Sequence, residues 1–439
     1  MQAIDLLLKN GYILQFDKKF CWQPQSIAID AGRIIEIGDD EILTRKFEPK
    51  QTIKASGMLV SPGFINTHTH NAMAFYRGLA DDLPLMVWLN DHIWPIENKF
   101  TDKDFVRDAS LFGCGEMIKN GITTFNDQYF FGLQTAESAK KAGIRAVLGE
   151  GILDFPIAQY ENSDQILKYS LMLKEKYQND ELIDASISPH SIYTCSRKTL
   201  EKAIQIAADN KMIIHTHISE TQKEVDDCLK KNGKRPVEYL QEIGMLDVPV
   251  VAAHCVWLNE KEQQIFADKS VSVSLNTSSN LKLSSGFAPV KDYLLKGVNL
   301  TIGTDGVASN NNLSILEEIS FTAKLHKALN NDPTLFTANE IIKAATLNAA
   351  KSLRKEKEIG SIETGKKADL ILIRLEDVCV QPIYDPFSHL AYTITSEQIR
   401  DVIINGQIVM KNRKLMRIDE NELIEKAKYY QDKIRKVSL

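Results

Sequence analysis

The chain has 439 residues, 44% hydrophobic and 25% charged, enough to bury a large core and to build one big α/β unit with an accessory domain. Its 53 basic and 58 acidic side chains leave a net charge of −5, with neither sign in a long block, so nothing suggests a phosphate-backbone footprint and nucleic acid is not an expected partner. No stretch reads as a cleavable leader or as eighteen consecutive apolar residues, so no membrane partner and a cytoplasmic protein are expected. Cys21, Cys114, Cys195, Cys228, Cys255 and Cys379 are scattered without a CxxC, which argues against a disulfide framework and against a thiolate metal site.

In chain order, the first elements are short strands broken by turns: DLLLKNGYILQFD, QSIAIDAGRIIEIGDD and QTIKASGMLVSPG. The same texture returns late, in KKADLILIRLED and IRDVIINGQIVMKNRK. Two β-rich ends around a different middle predict one small β-sandwich domain built from both termini, residues 1–58 and 358–439, the second part ending in a helix. The middle, residues 59–357, alternates apolar runs with amphipathic stretches. The runs are GFINTHTH, GITTFND, IRAVLGEGILDF, IDASISPHSIYT, KMIIHTHISE, VPVVAAHCVWL, SVSLNTSSN and VNLTIGTDG, and they read as buried parallel strands. Helical stretches lie between them, such as TDKDFVRDASLFGCGEMIKNG, with Thr101 the expected N-cap and Gly121 the expected C-cap. Eight strand–helix units over about 300 residues predict a (β/α)8 TIM barrel, with the longer loop after the first strand inserted over its mouth. Thr337 with Glu340 marks a further helix start.

Polar residues in these runs sit at their C-terminal ends. His68 and His70 end the first strand, His190 follows the fourth, His215 and His217 end the fifth, His254 the sixth and Asp305 the eighth. In a barrel those ends share one face, so residues far apart in sequence meet there. Alternate strand residues point the same way, which lets His68 and His70 converge on one ion. Three neutral imidazoles and one carboxylate suit a divalent transition ion with one position left for water, and we assign His68, His70, His217 and Asp305 as the ligands. His215 lies one layer deeper, as a supporting or packing residue. Glu220, three residues past His217, stands where a proton shuttle to the activated water is needed, with His254 and Asp305 orienting that water.

The segments PGFINTHTH, HTHISE, AAHC, NLKLSSGFAPV and GTDGVASNN, in this order, resemble the amidohydrolase superfamily, in its deaminase and chlorohydrolase branch. Within that branch the chain resembles the 5′-methylthioadenosine/S-adenosylhomocysteine deaminase family along nearly its whole length, including NAMAFYRGLADDLPLMVWLNDHIWPIE after the first metal motif. The resemblance implies one zinc or iron ion per subunit, a nucleoside substrate, and replacement of an exocyclic amine by oxygen. Carried over residue by residue, it implies His68, His70, His217 and Asp305 as ligands, Glu220 as shuttle and His254 as orienting base. It also implies Trp88 and Glu97 in the loop closing over the nucleoside, Glu97 accepting from ribose hydroxyls, and His190 contacting the base.

One departure bears on the substrate. Relatives that accept S-adenosylhomocysteine can use arginines after the third strand to pair with its carboxylate. Here GEGILDF offers Glu150, and no arginine occurs between Arg145 and Arg197. Glu150 is therefore expected at the substrate, repelling that carboxylate and favouring methylthioadenosine or adenosine. A guanine or cytosine deaminase and an s-triazine chlorohydrolase are the alternatives. The second is disfavoured because chloride departs without the proton that Glu220 is placed to deliver. A catalytically dead scaffold would be expected to lack a ligand or the shuttle, and all are present. The fourth run carries no lysine that could bridge two ions. The sequence assigns no subunit interface, so a homo-oligomer is left open.

Overall fold

The computed structural model describes residues 1–16 and 20–438. Eight parallel strands form the central barrel in chain order: Phe64–Thr69, Ile122–Tyr129, Arg145–Ile152, a fourth in two pieces (Ile183–Ala185 and Ser188–Pro189), Ile214–Ile218, Val250–His254, Ser272–Leu275 and Asn299–Ile302. Strands one to four and five to eight pair as two sheets. A bridge from Ile187 to Ile214 joins them on one side. On the other, the Asp305 N–H donates to His68 O at 3.0 Å. The second and third strands are buried along their whole length, as runs covered on both faces must be.

The seam between the eighth and first strands is tight. A Cβ on Gly303 would lie 2.5 Å from Ser274 Oγ and 2.9 Å from the His68 nitrogen, so only glycine lets these backbones approach. Inside the barrel, Thr67 Oγ1 lies within hydrogen-bond distance of Ser274 Oγ (2.8 Å) and Thr301 Oγ1 (2.9 Å), and it donates to Ile302 O at 2.9 Å. Buried hydroxyls thus satisfy one another beneath the strand ends.

The terminal strands form a folded β unit hinged on the long strand Gln2–Ile13. One side pairs with Gln25–Asp30 and Phe47–Lys54. The other runs through Met58–Pro62 to Leu370–Arg374, Ile399–Ile404 and Gln407–Lys411. The terminal sheet therefore continues past residue 58 to Pro62. The helix Glu420–Ser438 packs on the barrel helix Lys103–Lys119, while its first residue, Glu420, accepts the Leu415 N–H of the β unit at 3.3 Å. Lys119 Nζ reaches Glu420 at 2.7 Å, and Lys426 Nζ reaches Asp108 at 2.9 Å. Arg145, starting the third barrel strand, pairs with Asp369 of the β unit through two buried contacts of 2.9 and 3.2 Å.

Helix ends follow local chemistry. The helix Lys103–Lys119 is capped by Asp102, which accepts the Phe105 N–H at 2.8 Å, not by Thr101. Thr101 is diverted to a 2.8 Å hydrogen bond with Tyr76 Oη. Asn120 is the C-cap, and Gly121 follows with φ +75°. The Thr337–Glu340 capping box forms as read. The loop after the first strand is helical over residues 85–100 and brings Trp88 and Glu97 to the barrel mouth. No helix among the described residues is long and apolar enough to cross a membrane.

Candidate metal centre and substrate chamber

The strand ends bring His68, His70, His217, His254 and Asp305 together in two overlapping triads, His68–His217–His254 and His68–His70–Asp305, with ligand atoms in each within 4.8 Å of one another. His68 Nε2 and His70 Nε2 lie 3.3 and 3.2 Å from Asp305 Oδ1.

The Nδ1 atoms explain how the rings are aimed. His70 Nδ1 donates to Gln128 O at 2.5 Å, His217 Nδ1 to His190 O at 2.8 Å, and His254 Nδ1 to Asn280 Oδ1 at 2.8 Å. His68 Nδ1 meets His215 Nε2 at 2.8 Å. With each Nδ1 engaged by a neighbour, each neutral ring keeps its Nε2 lone pair for the cluster. His68 Nε2 is buried and has no hydrogen-bond partner among the described residues.

Asp305 is anchored from outside: Ser279 Oγ and Ser309 Oγ donate to Oδ2 at 2.6 and 2.9 Å, and the Gly306 N–H donates to Oδ1 at 2.7 Å. Burial holds His68 down at about 4 and His217 well below the ordinary imidazole range. Burial opposes a charge on His70 as well, but Asp305 outweighs it and raises that ring to about 9. The close approach of the His68 and His70 rings, Nε2 within 3.3 Å of Oδ1, keeps Asp305 well below the usual carboxylate range despite its burial. A buried carboxylate among buried imidazoles calls for a positive charge, carried by the His70 proton or by an ion that displaces it, and this nitrogen and oxygen set fits a divalent transition ion.

Glu220 sits at the rim of the cluster. Its Oε2 is 3.8 Å from His254 Nε2, and its Oε1 accepts from Ser285 Oγ at 3.2 Å. Burial raises its carboxyl above the usual range. The two oxygens of Glu224 accept the Ser219 and Glu220 N–H groups at 2.9 and 2.8 Å, fixing the loop that carries Glu220.

A chamber of about 70 Å3 opens beside the cluster and includes His70, His190, His217, Glu220, His254 and Asp305 in its walls. Trp88 and Glu97 join them from the helical loop. Glu97 is buried and accepts from Tyr129 Oη at 2.6 Å, and burial pushes its carboxyl up to about 7. Trp88 Nε1 is buried without a hydrogen-bond partner among the described residues. His190 Nδ1 is engaged by the hydroxyls of Ser191 and Thr194 at 3.2 and 3.1 Å.

Glu150 is the correction. It was expected to face the substrate, but its Oε1 accepts the Gly132 N–H at 2.5 Å and its Oε2 accepts from Tyr160 Oη at 3.0 Å. It is fully buried and outside the chamber wall. Strand alternation is the reason: the neighbouring Gly151 takes the chamber face, and Glu150 points outward to the start of the helix Gly132–Ala142. Tyr129, Asn280, Ser279 and Ser309 received no role from sequence reasoning. Asn280 and Ser309 nevertheless lie inside the segments NLKLSSGFAPV and GTDGVASNN that carried the resemblance, so the signal was present without an assignment.

A parallel barrel with such a cluster at its C-terminal strand ends is the frame of a metal-dependent hydrolase. The sequence pattern of the amidohydrolase family matches residues 59–409, and the chain belongs to that family. It is 48% identical to the 5-methylthioadenosine/S-adenosylhomocysteine deaminase of Thermodesulfovibrio yellowstonii, over 98% of both chains. It is 41% identical to the 5′-deoxyadenosine deaminase of Methanobrevibacter smithii, over 99% of both. A solved adenosine deaminase from Xanthomonas campestris with bound zinc superposes with a TM-score of 0.97 at 36% identity, covering 99% of this chain and 100% of that one.

Proposed function

We propose that the protein is a metal-dependent deaminase that replaces the 6-amino group of an adenosyl compound, such as 5′-methylthioadenosine, adenosine or S-adenosylhomocysteine, by oxygen and releases ammonia. The observation that carries this reading is Glu220 beside His254 at the rim of the imidazole–carboxylate cluster, with a second buried carboxylate, Glu97, in the same chamber. The deaminase names of the similar proteins support it.

One divalent ion per chain, zinc in the first instance with iron the alternative, would be held by His68, His70, His217 and Asp305. When bound, it supplies Lewis acidity and lowers the pKa of water from 15.7 to about 7. Glu220 takes the proton of the attacking water and delivers it to the ring nitrogen beside the carbon under attack. It then takes the remaining proton of the added hydroxyl, as that oxygen becomes the 6-oxo group, and passes it to the departing amine, which leaves far more readily as ammonia. His254, its Nδ1 held by Asn280, presents Nε2 to the water and sets its direction. His190 contacts the base, Trp88 packs over the nucleoside, and Glu97 accepts hydrogen bonds from the ribose diol. All six cysteines are free in the structure, which supports a reducing, cytoplasmic setting.

The test is ammonia release from the three adenosyl compounds and from guanine, using metal-loaded protein. Turnover of adenosyl compounds is expected; turnover confined to guanine or to a chlorinated triazine would refute the proposal.

A further inference from the structure

We infer that the 5′ end of the chamber is built for a small, uncharged substituent, so that 5′-methylthioadenosine and 5′-deoxyadenosine are taken in strong preference to S-adenosylhomocysteine. The inference rests on the adenosyl reading and names the substrate class within it.

The two ends of the chamber differ in chemistry. The ends of strands five, six and eight carry the groups that act on the amino-bearing ring. The end of strand two carries Tyr129, which holds Glu97 where a ribose diol would be recognised. The chamber wall also includes Trp94, Phe130, Gly151 and Leu153, an apolar stretch, and we place the 5′ end of the sugar against it. Among the described residues, no lysine or arginine lines the chamber. The amino-acid end of S-adenosylhomocysteine would bring an ammonium and a carboxylate against these apolar walls without partners, which is costly for each charge.

Glu150 reinforces the wall from behind, without charging it. Its carboxylate is committed to Gly132 and Tyr160, and the Tyr160 ring lies 6.4 Å from that of the wall residue Phe130. It is therefore not free to pair with an ammonium. Two cations, Lys223 and Lys282, line a broader adjoining groove on the side of strands five and seven. Both are already paired, Lys223 with Asp227 at 2.6 Å and Lys282 with Asp81 at 2.5 Å. Glu224, Asp227 and Asp82 line the same groove, so it offers a carboxylate little attraction.

Gly151 sets the space available. A Cβ there would meet Phe130 Cε1 at 3.4 Å and nothing closer, so Gly151→Ala fits the fold while narrowing the wall beside Phe130.

The experiment measures kcat/KM for 5′-methylthioadenosine, 5′-deoxyadenosine, adenosine and S-adenosylhomocysteine with wild type, Gly151→Ala and Leu153→Arg. Ratios within one variant cancel any loss of folded protein. In wild type, 5′-methylthioadenosine is expected to exceed S-adenosylhomocysteine by about tenfold or more. Gly151→Ala is expected to lower methylthioadenosine relative to adenosine. Leu153→Arg, which offers a guanidinium to the carboxylate, is expected to raise S-adenosylhomocysteine relative to methylthioadenosine by about tenfold. Parity of the two substrates in wild type, or unmoved ratios in both variants, would overturn the inference. Failure of all four nucleosides with metal bound would instead overturn the adenosyl reading itself, and this inference with it.

Discussion

Replacing Glu220 by Gln keeps the shape of the side chain and removes the proton carrier, which separates chemistry from folding. The loop survives because its two N–H groups are held by Glu224, at 2.9 and 2.8 Å, and Glu224 is untouched. Ser285 Oγ, 3.2 Å from Oε1, keeps an acceptor in the amide oxygen. The atom that changes, Oε2, faces His254 Nε2 at 3.8 Å, beyond hydrogen-bond range. Stability should therefore move by no more than about 1 kcal/mol. The rate should move far more. General acid–base catalysis by one positioned group is worth about 10²–10⁴-fold. At 1.36 kcal/mol per tenfold, that is about 2.7–5.4 kcal/mol of barrier. The assay is ammonia release from 5′-methylthioadenosine across a range of concentrations, with metal content and a thermal melt recorded on the same preparation. Because the proton moves in the transition state, kcat and kcat/KM should fall together. A loss under about tenfold, with wild-type metal content and melting, would remove Glu220 from the mechanism.

Three further outcomes follow from the same geometry. His215→Phe removes the ring nitrogen 2.8 Å from His68 Nδ1, and metal affinity measured by chelator competition should fall about 10–100-fold; unchanged affinity would show that His215 only packs. Chelation should lower the melting temperature and added zinc should restore it, since a ligand at about 100 times its Kd adds about 2.7 kcal/mol to the folded state; identical melts would contradict an ion at this cluster. Glu97 is pushed up to about 7 by burial, so raising pH through that value charges it and strengthens its acceptance from a diol. KM for adenosine should therefore drop as pH rises through neutrality while KM for 2′,3′-dideoxyadenosine does not follow, and parallel profiles would detach Glu97 from the sugar.

Much of the fold is legible in the sequence because its signals are local and repeated. Eight apolar runs of strand length, each ending in polar residues and followed by a helix, leave few arrangements besides a parallel barrel, and all eight runs are its strands. The terminal β unit is legible in texture, but its edge is not. Met58–Pro62 lies in the strand-like run QTIKASGMLVSPG, yet the boundary read at residue 58 cuts through it, and its pairing with Gln2–Ile13 and Leu370–Arg374 carries the terminal sheet to Pro62. The placement of Thr101 fails for a related reason. Thr and Asp are adjacent and both cap helices well, so the choice was made by Tyr76, a residue distant in sequence that claims the threonine hydroxyl.

The candidate site is legible where chemistry is written into residue type and illegible where direction matters. Histidines and an aspartate at strand ends announce a cluster, but Glu150 carries the same kind of signal and points the other way, because one step along a strand reverses the face. The backbone adds a constraint that no pattern displays. Ser219, His254, Cys255 and Asp305 all have positive φ, between 51° and 67°, without being glycine. Such conformations cost about 1–3 kcal/mol each and persist only where the surroundings hold them. Here the holders are visible: Glu224 grips the Ser219 N–H, the Cys255 N–H donates to Ile218 O at 3.1 Å, and the Asp305 N–H donates to His68 O at 3.0 Å. The strain falls at the ends of strands five, six and eight, beside Glu220, at His254 and at Asp305. The fold thus spends stability to turn these side chains into the chamber, which is what a site that must aim a proton carrier and an orienting base at one water requires.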